Sequence, residues 1–470
     1  MYTLFVVGGH YGDEGKGKIV DILAARADVV ARGSGGNNAG HTIVRNGRTF
    51  KFHLLPSGCL YPGTINVLGM GMLIDVHALV KELAALRDVG YNPKLRIASQ
   101  AHIVMDWHRA FDAASEASLG AEKIGTTRKG IGPAAEAKHN RKEALRIADL
   151  KSDELFEKVS RIVFRIAPKL VSWHPDFSGF RDLPLTDIIN PREALKFSLT
   201  QYAEEQAGRL REAAKVIMPF IDDDIAAATG SQHNKFVLGE GAQGTFLDTT
   251  VGSFPDVTST PTTAPGLCIG LGIGPGKVND VMGVFKAYET RVGSGRFETE
   301  LTDEQALLGE LGSGRMLMDS GSIASLRKGT ASDNIIGKHM VVKGHEFGTT
   351  TGRVRRCGWF NLEEARRAVQ YNGLTWIAIT KLDVLDELHT IKVGIRTENE
   401  KMAYKTFSGW LSSTENLRNQ EALPDKAKFF LNFLEQQLAP IAFVSVGPDA
   451  GQTIITKNFR NHLAKNGISI

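Results

Sequence analysis

The segment GGHYGDEGKGK, residues 8–18, mixes closely spaced glycines with two carboxylates and two lysines. Gly12, Gly15 and Gly17 let the main chain approach an anion, and the helix that starts behind them can cradle phosphate with its free N–H groups. Lys16 or Lys18 supplies positive charge. The spacing is not the GxxxxGK[ST] form, because Gly17 follows Lys16. Asp13 and Glu14 repel phosphate unless a metal ion or a proton-transfer task compensates them. Taken alone, the loop also reads as a glycine-rich structural turn.

A second loop, GGNNAGHT at residues 35–42, carries His41 as a candidate acid among small residues. A lone histidine is more often structural than catalytic. Here it follows a second strand expected in the same sheet as the first, which sets it beside the first loop. TKLD at residues 380–383 ends the strand WIAIT and has the form of a guanine-reading turn. The Asp383 carboxylate accepts from the N1–H and the exocyclic amine of guanine, a pair of donors that adenine lacks. Four residues are a weak signal, and a polar turn has the same look. The segment HEFGTTTGRVRRCG, residues 345–358, gathers three threonines, flanking glycines and three arginines. Such a loop suits carboxylate or phosphate, though a solvated basic loop is its plain alternative.

Elements that position these loops are legible around them. Residues 2–7 are almost all apolar, as in a strand buried on both faces. A helix follows the first loop (KIVDILAARA), and VVA at residues 29–31 is a second strand. VKELAALRDVG predicts helix, LRIAS strand and FDAASEASLGAEK helix. Residues of about 150–228 are dominated by 3.6-residue periodicity, which predicts a helical subdomain laid over the sheet. Strands recur at KFVLGEG, VMGVFKAYETRV, TWIAITKLDVL and AFVSVG, with a long Gly/Thr/Pro-rich stretch between the first two. Residues of about 302–345 carry few signals and read as a partly mobile insertion. Repeated strand–loop–helix units point to a single α/β chain with a large, mostly parallel, doubly wound sheet.

Bulk composition narrows the class. With 42% hydrophobic and 23% charged residues, the chain has material for a large core. A net charge of +4 without a Lys/Arg block argues against nucleic acid. Cys59, Cys268 and Cys357 are far apart and odd in number, so neither a zinc site nor a disulfide framework is expected. The start lacks a basic leader and no apolar run spans a bilayer, so a cytoplasmic enzyme is the expectation.

Together and in this order, the blocks VVGGHYGDEGKGKIVD, GGNNAGHT, IGTTRKGIGPA, EGAQGTFLD, FKAYETRVGSG, GTTTGRVRRCGW, TKLDVLD and SVGPD resemble the adenylosuccinate synthetase family over roughly residues 3–455. The resemblance implies a GTPase-like core, usually in a homodimer, and GTP-dependent joining of L-aspartate to the 6-position of IMP through a 6-phosphoryl intermediate. It implies Asp13 as base and Mg²⁺ ligand, with the Gly40 carbonyl as a second ligand, and His41 as the group that stabilises the transferring phosphoryl. GTP would be held by Gly12, Asp13, Glu14, Gly15, Lys16, Gly17, Lys18, Gly40, His41, Thr42 and Arg355. Lys381, Leu382, Asp383, Ser445, Val446 and Gly447 would line the guanine pocket. IMP would meet Asn38, Ala39, Thr127, Gln243, Thr258 and Arg353, with Arg141 reaching across the dimer to the 5′-phosphate. Aspartate would meet Thr349, Thr350, Thr351, Gly352, Arg353 and Arg355.

The chain departs from the family pattern around the purine. Thr250 and Val251 stand where an acidic-His pair is usual, Pro261 replaces Asn, Tyr11 replaces Trp and Ala135 replaces Tyr. Arg296 and Glu298 stand where two prolines are usual. Another acceptor (dIMP, GMP or dGMP) is therefore the alternative, although the retained Asp13 favours hypoxanthine. A guanine-nucleotide switch without synthesis is the alternative of another class; it would need neither a base nor an aspartate clamp.

Overall fold

The structure is a computed structural model that describes every residue except 46–47, 121–124, 181–190, 231–234, 294, 303–306, 308–317, 349–352 and 397–401. Its centre is a ten-stranded sheet. In chain order the strands are β1 (Tyr2–Gly8), β2 (Val29–Arg32), β3 (Ile65–Leu68), β4 (Lys94–Ala98), β5 (Ile221–Asp222), β6 (Phe236–Glu240), β7 (Asp280–Lys286), β8 (Trp376–Thr380), β9 (Ile441–Ser445) and β10 (Thr453–Ile455). Across the sheet they run β10-β9-β8-β7-β1-β6-β2-β3-β4-β5. All neighbours are parallel except β9 and β10.

β1 shows why its sequence lacks a polar face. Leu4 and Val6 pack with Ile19, Val20 and Leu23 of helix Lys16–Ala24 and with Phe443 and Phe459. Phe5 and Val7 point the other way, into the larger core. Both sheet faces are covered, so almost every position is apolar. Burying each such side chain contributes about 1.5–3 kcal/mol. Because the strands are parallel, their C-terminal ends share one edge. Loops 9–15, 33–40, 241–263, 381 and 446–447 all leave from that edge, where an open α/β sheet binds its ligands.

The helical stretch departs from its sequence reading in two ways. Leu155–Arg165 and Ala167–Trp173 are separate helices, since Pro168 begins the second and cannot continue the first. Pro191–Ile217 ends before Pro219, and β5 follows as a sheet-edge strand inside the stretch read as helix. Two residues are too few to leave a periodicity. The Gly/Thr/Pro-rich stretch hides helix Ala264–Leu271, with Pro265 in its first turn and Gly272 closing it in the left-handed region. Among its described residues, the signal-poor stretch before the arginine loop contains two helices. Ser320–Lys328 is capped by Asp319 and Asp333–Lys343 by Ser332. All three cysteines are free. No described helix is long and apolar enough to cross a membrane.

Candidate active site

The first loop is shaped by backbone that only a few residues tolerate. Gly12 (φ 87°), Asp13 (φ 62°) and Gly15 (φ 88°) all adopt left-handed conformations. Glu14 turns inward and accepts from the N–H of His10 (3.1 Å), the N–H of Gly12 (2.8 Å) and Lys16 Nζ (2.9 Å). It braces the loop and does not line the cavity. Asp13 points outward and is 32% exposed. Helix Lys16–Ala24 starts directly behind, so its first N–H groups face the space in front of the loop.

A cavity of about 830 Å³ opens there. Its wall brings together Gly12, Asp13, Gly15, Lys16, Gly17, Asn38, Ala39, Gly40, His41, Thr42, Thr127, Gln243, Thr258, Arg353 and Arg355, which the sequence had assigned to three different ligands. Several buried polar atoms around it have no hydrogen-bond partner: Gln243 Oε1 and Nε2, Asn38 Oδ1 and His41 Nε2. Unpaired buried polar groups are costly, so they mark where a ligand completes the structure. Thr349, Thr350, Thr351 and Gly352 lie outside the described residues. Arg141, in the left-handed region at the end of helix Ile131–Asn140, is exposed and away from the cavity.

His41 does not end β2. It begins a hairpin, His41–Arg45 with Arg48–Phe52, and β6 stands between β2 and β1. It still meets the first loop: a Cβ added to Gly17 would lie 3.0 Å from His41 Cβ. Its Nδ1 pairs with Glu240 at the end of β6. Glu240 also accepts from the Ser57 N–H (2.8 Å) and hydroxyl (3.0 Å). Burial works against its ionisation, yet His41, Arg32 and Ser57 outweigh it and hold the carboxyl below its ordinary range.

Arg355 Nε lies 2.7 Å from Asp13 Oδ2, while its Nη1 lies 2.8 Å from Glu346. Glu346 is 0% exposed and gathers Lys286 (2.8 Å), Lys381 (3.1 Å) and the Tyr288 hydroxyl. Burial opposes its charge, but the three cations outweigh burial and hold the carboxyl far below the usual range. Burial pushes Lys286 down to about 8 in spite of Glu346.

The TKLD turn lies beyond this cavity and is tied to the first loop, since Thr380 Oγ1 donates to the Glu14 carbonyl (2.6 Å). Lys381 is left-handed (φ 58°) and Leu382 is buried. Burial raises the Asp383 carboxyl, with Lys18 and Lys381 as its nearby cations. Lys18 Nζ donates to Ser445 Oγ and to the Gly447 carbonyl (2.6 Å), while the Val446 N–H donates to the Gln452 carbonyl (2.9 Å). Burial pushes Lys18 down to about 8. Glu240, Lys286, Tyr288 and Glu346 were not assigned from sequence. All four stand inside quoted segments, but none was singled out there, because no local signal marks a residue that acts from behind the cavity.

A glycine-rich loop braced from behind at the end of β1, tied to the turn that ends β8 two strands away, fits a nucleotide-using enzyme of the parallel α/β class. Comparison with known proteins narrows it. The adenylosuccinate synthetase family model matches residues 5–454. The adenylosuccinate synthetase of Gloeobacter violaceus is 40% identical over 97% of this chain and 97% of its own length. That of a Cyanothece species is 41% identical, over 97% and 95%. The fully ligated structure of adenylosuccinate synthetase from Plasmodium falciparum has a TM-score of 0.77 at 31% identity, covering 97% of this chain and 99% of that one. A cyanophage S-2L succinoaminodeoxyadenylate synthetase, 19% identical with a TM-score of 0.56, shares the fold. The chain belongs to the adenylosuccinate synthetase family. Its activity is the GTP-dependent ligation of L-aspartate to IMP.

Proposed function

We propose that Asp13 takes the N1 proton of IMP, making the 6-oxygen the nucleophile that attacks the γ-phosphate of GTP; the O–P bond forms as the bond to the β–γ bridging oxygen breaks, and GDP leaves. A neutral lactam oxygen is a poor nucleophile, and removing the ring proton delocalises charge onto it. His41, oriented by Glu240, stabilises the transferring phosphoryl group through its free Nε2. The aspartate amine then attacks C6: the C–N bond forms, the C–O bond breaks and phosphate leaves. The Asp13 carboxylate and the Gly40 carbonyl share a cavity wall and make an oxygen-only donor pair, which fits Mg²⁺. When bound, that ion neutralises charge on the GTP phosphates.

IMP falls to Asn38, Ala39, Thr127, Gln243, Thr258 and Arg353, and aspartate to residues 349–352 with Arg353 and Arg355. Gly12 to Lys18, Thr42, Lys381 to Asp383 and Ser445 to Gly447 complete the GTP site. The exposed Arg141 supports a homodimer in which it serves the neighbouring cavity. The cytoplasm is the proposed setting. One observation carries the assignment: the bare atoms of Gln243, Asn38 and His41 surround a reachable Asp13 in one cavity.

The test is a panel of IMP, dIMP, GMP and dGMP with aspartate, Mg²⁺ and GTP, read by phosphate release and product mass. Turnover only with IMP and aspartate together supports the reading. GTP cleavage without either would replace it with a switch.

A further inference from the structure

Behind the first loop, His10, Glu289 and Glu364 form a cluster that the ligase chemistry does not use. Glu289 opens the short strand Glu289–Arg291, and Glu364 sits in the first turn of helix Leu362–Asn372. Among the described residues, ligand-capable atoms of these three side chains lie within 4.8 Å of one another.

Each side chain is held by one atom. His10 Nε2 donates to the Asn361 carbonyl at 3.3 Å, the Tyr11 hydroxyl to Glu364 Oε1 at 2.9 Å, and Thr299 Oγ1 to Glu289 Oε2 at a long 3.5 Å. The remaining carboxylate oxygens, Glu289 Oε1 and Glu364 Oε2, have no partner beyond each other, Glu289 is 1% exposed, and burial together with Glu364 pushes the Glu289 carboxyl well up. Two carboxylates so close, one buried and one half-buried, repel unless a proton or a cation stands between them.

The third member decides for a cation. Burial disfavours the charged form of His10, and a neutral ring that donates from Nε2 keeps the Nδ1 lone pair for a ligand. A ring N–H on a carbonyl and carboxylates held by hydroxyls are the outer contacts that orient metal ligands. We infer that His10, Glu289 and Glu364 bind a divalent transition ion, of the Zn²⁺ or Mn²⁺ class that accepts one nitrogen and two carboxylates. The ion joins the loop carrying Asp13 to the strand and helix behind it. The inference stands independently of the proposed catalytic roles.

The test uses the full chain, stripped with chelator and titrated with Co²⁺. Uptake of about one equivalent, a visible Co²⁺ spectrum and a raised thermal midpoint are expected. Zn²⁺ should displace the spectrum and excess Mg²⁺ should not. Glu289→Gln and Glu364→Gln should each weaken Co²⁺ binding at least ~100-fold, and Tyr11→Phe, which removes only a supporting hydroxyl, by ~10–100-fold. Asp13→Asn should leave the spectrum intact. If stripped wild type takes up neither Co²⁺ nor Zn²⁺ at micromolar concentration, the inference falls and a shared proton joins the carboxyls. Uptake that survives both glutamine variants, or disappears in Asp13→Asn, overturns it equally. Should the variants not fold, the wild-type titration decides alone.

Discussion

Replacing Glu346 by glutamine keeps its shape and removes the buried charge that faces Lys286, Lys381 and Arg355. Breaking a buried ion pair by removing one partner costs about 3–5 kcal/mol. Lys381 is a quarter exposed and adds little to this. Lys286 has an escape route. It is already pushed down to about 8 with Glu346 in place, and lower without it, so giving up its proton at neutral pH costs at most about 1.4 kcal/mol. The loss should therefore fall at the low end, near 3 kcal/mol. For 470 residues, with an unfolding entropy of ~1 kcal/mol/K, that lowers the midpoint by roughly 3 °C. The acid limb carries the sign: the folded Glu346 carboxyl lies below its ordinary 4.5, so its contribution is complete above that pH and is lost on acidification. Variant and wild type should converge as pH falls through the carboxylate range. Thermal melts across pH, with phosphate release at varied aspartate, make the assay. The KM for aspartate should rise as Arg355 loses its anchor. The double variant with Lys286→Met should recover at least ~1 kcal/mol. An unchanged midpoint together with an unchanged aspartate KM would refute the reasoning.

Asp13→Asn keeps shape and loses basicity, so turnover should vanish while calorimetry still detects GTP and IMP binding; normal turnover would remove the proposed base. Asp383→Asn should narrow the preference for GTP over other triphosphates by at least ~10-fold, measured as a ratio of kcat/KM, since one charge-assisted hydrogen bond is worth about 1.5–3 kcal/mol. With Lys18 down at about 8, the KM for GTP should climb above that pH as the lysine neutralises. Stability should move the opposite way, rising from pH 8 toward the ordinary 10.5, because the unfolded chain there binds the extra proton. Melts and GTP titrations over the same pH series check both directions.

The parts of the fold that were legible were those whose burial is written locally. β1, β6 and β8 are apolar on both faces, and their loops follow at once. β5 and helix Ala264–Leu271 were not legible, one because two residues carry no period, the other because its glycines and prolines read as loop. Asp13, His41 and Arg355 stood in dense motifs and line one cavity, though the route by which His41 reaches the first loop was not legible. Glu346 illustrates the limit. Its partners Lys286 and Lys381 are 60 and 35 residues away, and only the parallel arrangement of β7 and β8 brings them together. A carboxylate's meaning lies in what surrounds it, and for Glu346 that is a tertiary fact.

The Glu346 cluster also bears on how one arginine can serve two anions. In this state Arg355 Nε sits 2.7 Å from Asp13 Oδ2 without the alignment of a hydrogen bond, whereas Nη1 makes a proper one to Glu346. A weakly directed contact to a partly exposed carboxylate is the one that exchanges most readily. The guanidinium can therefore keep its Glu346 anchor while Asp13 is replaced by the carboxylate of a substrate, one anion for another with little net change in charge. The same exchange would free the Asp13 carboxylate of its contact with Arg355, as its proposed role as base requires. A buried carboxylate that holds three cations is costly to maintain, and a tether of this kind gives a physical reason to keep it.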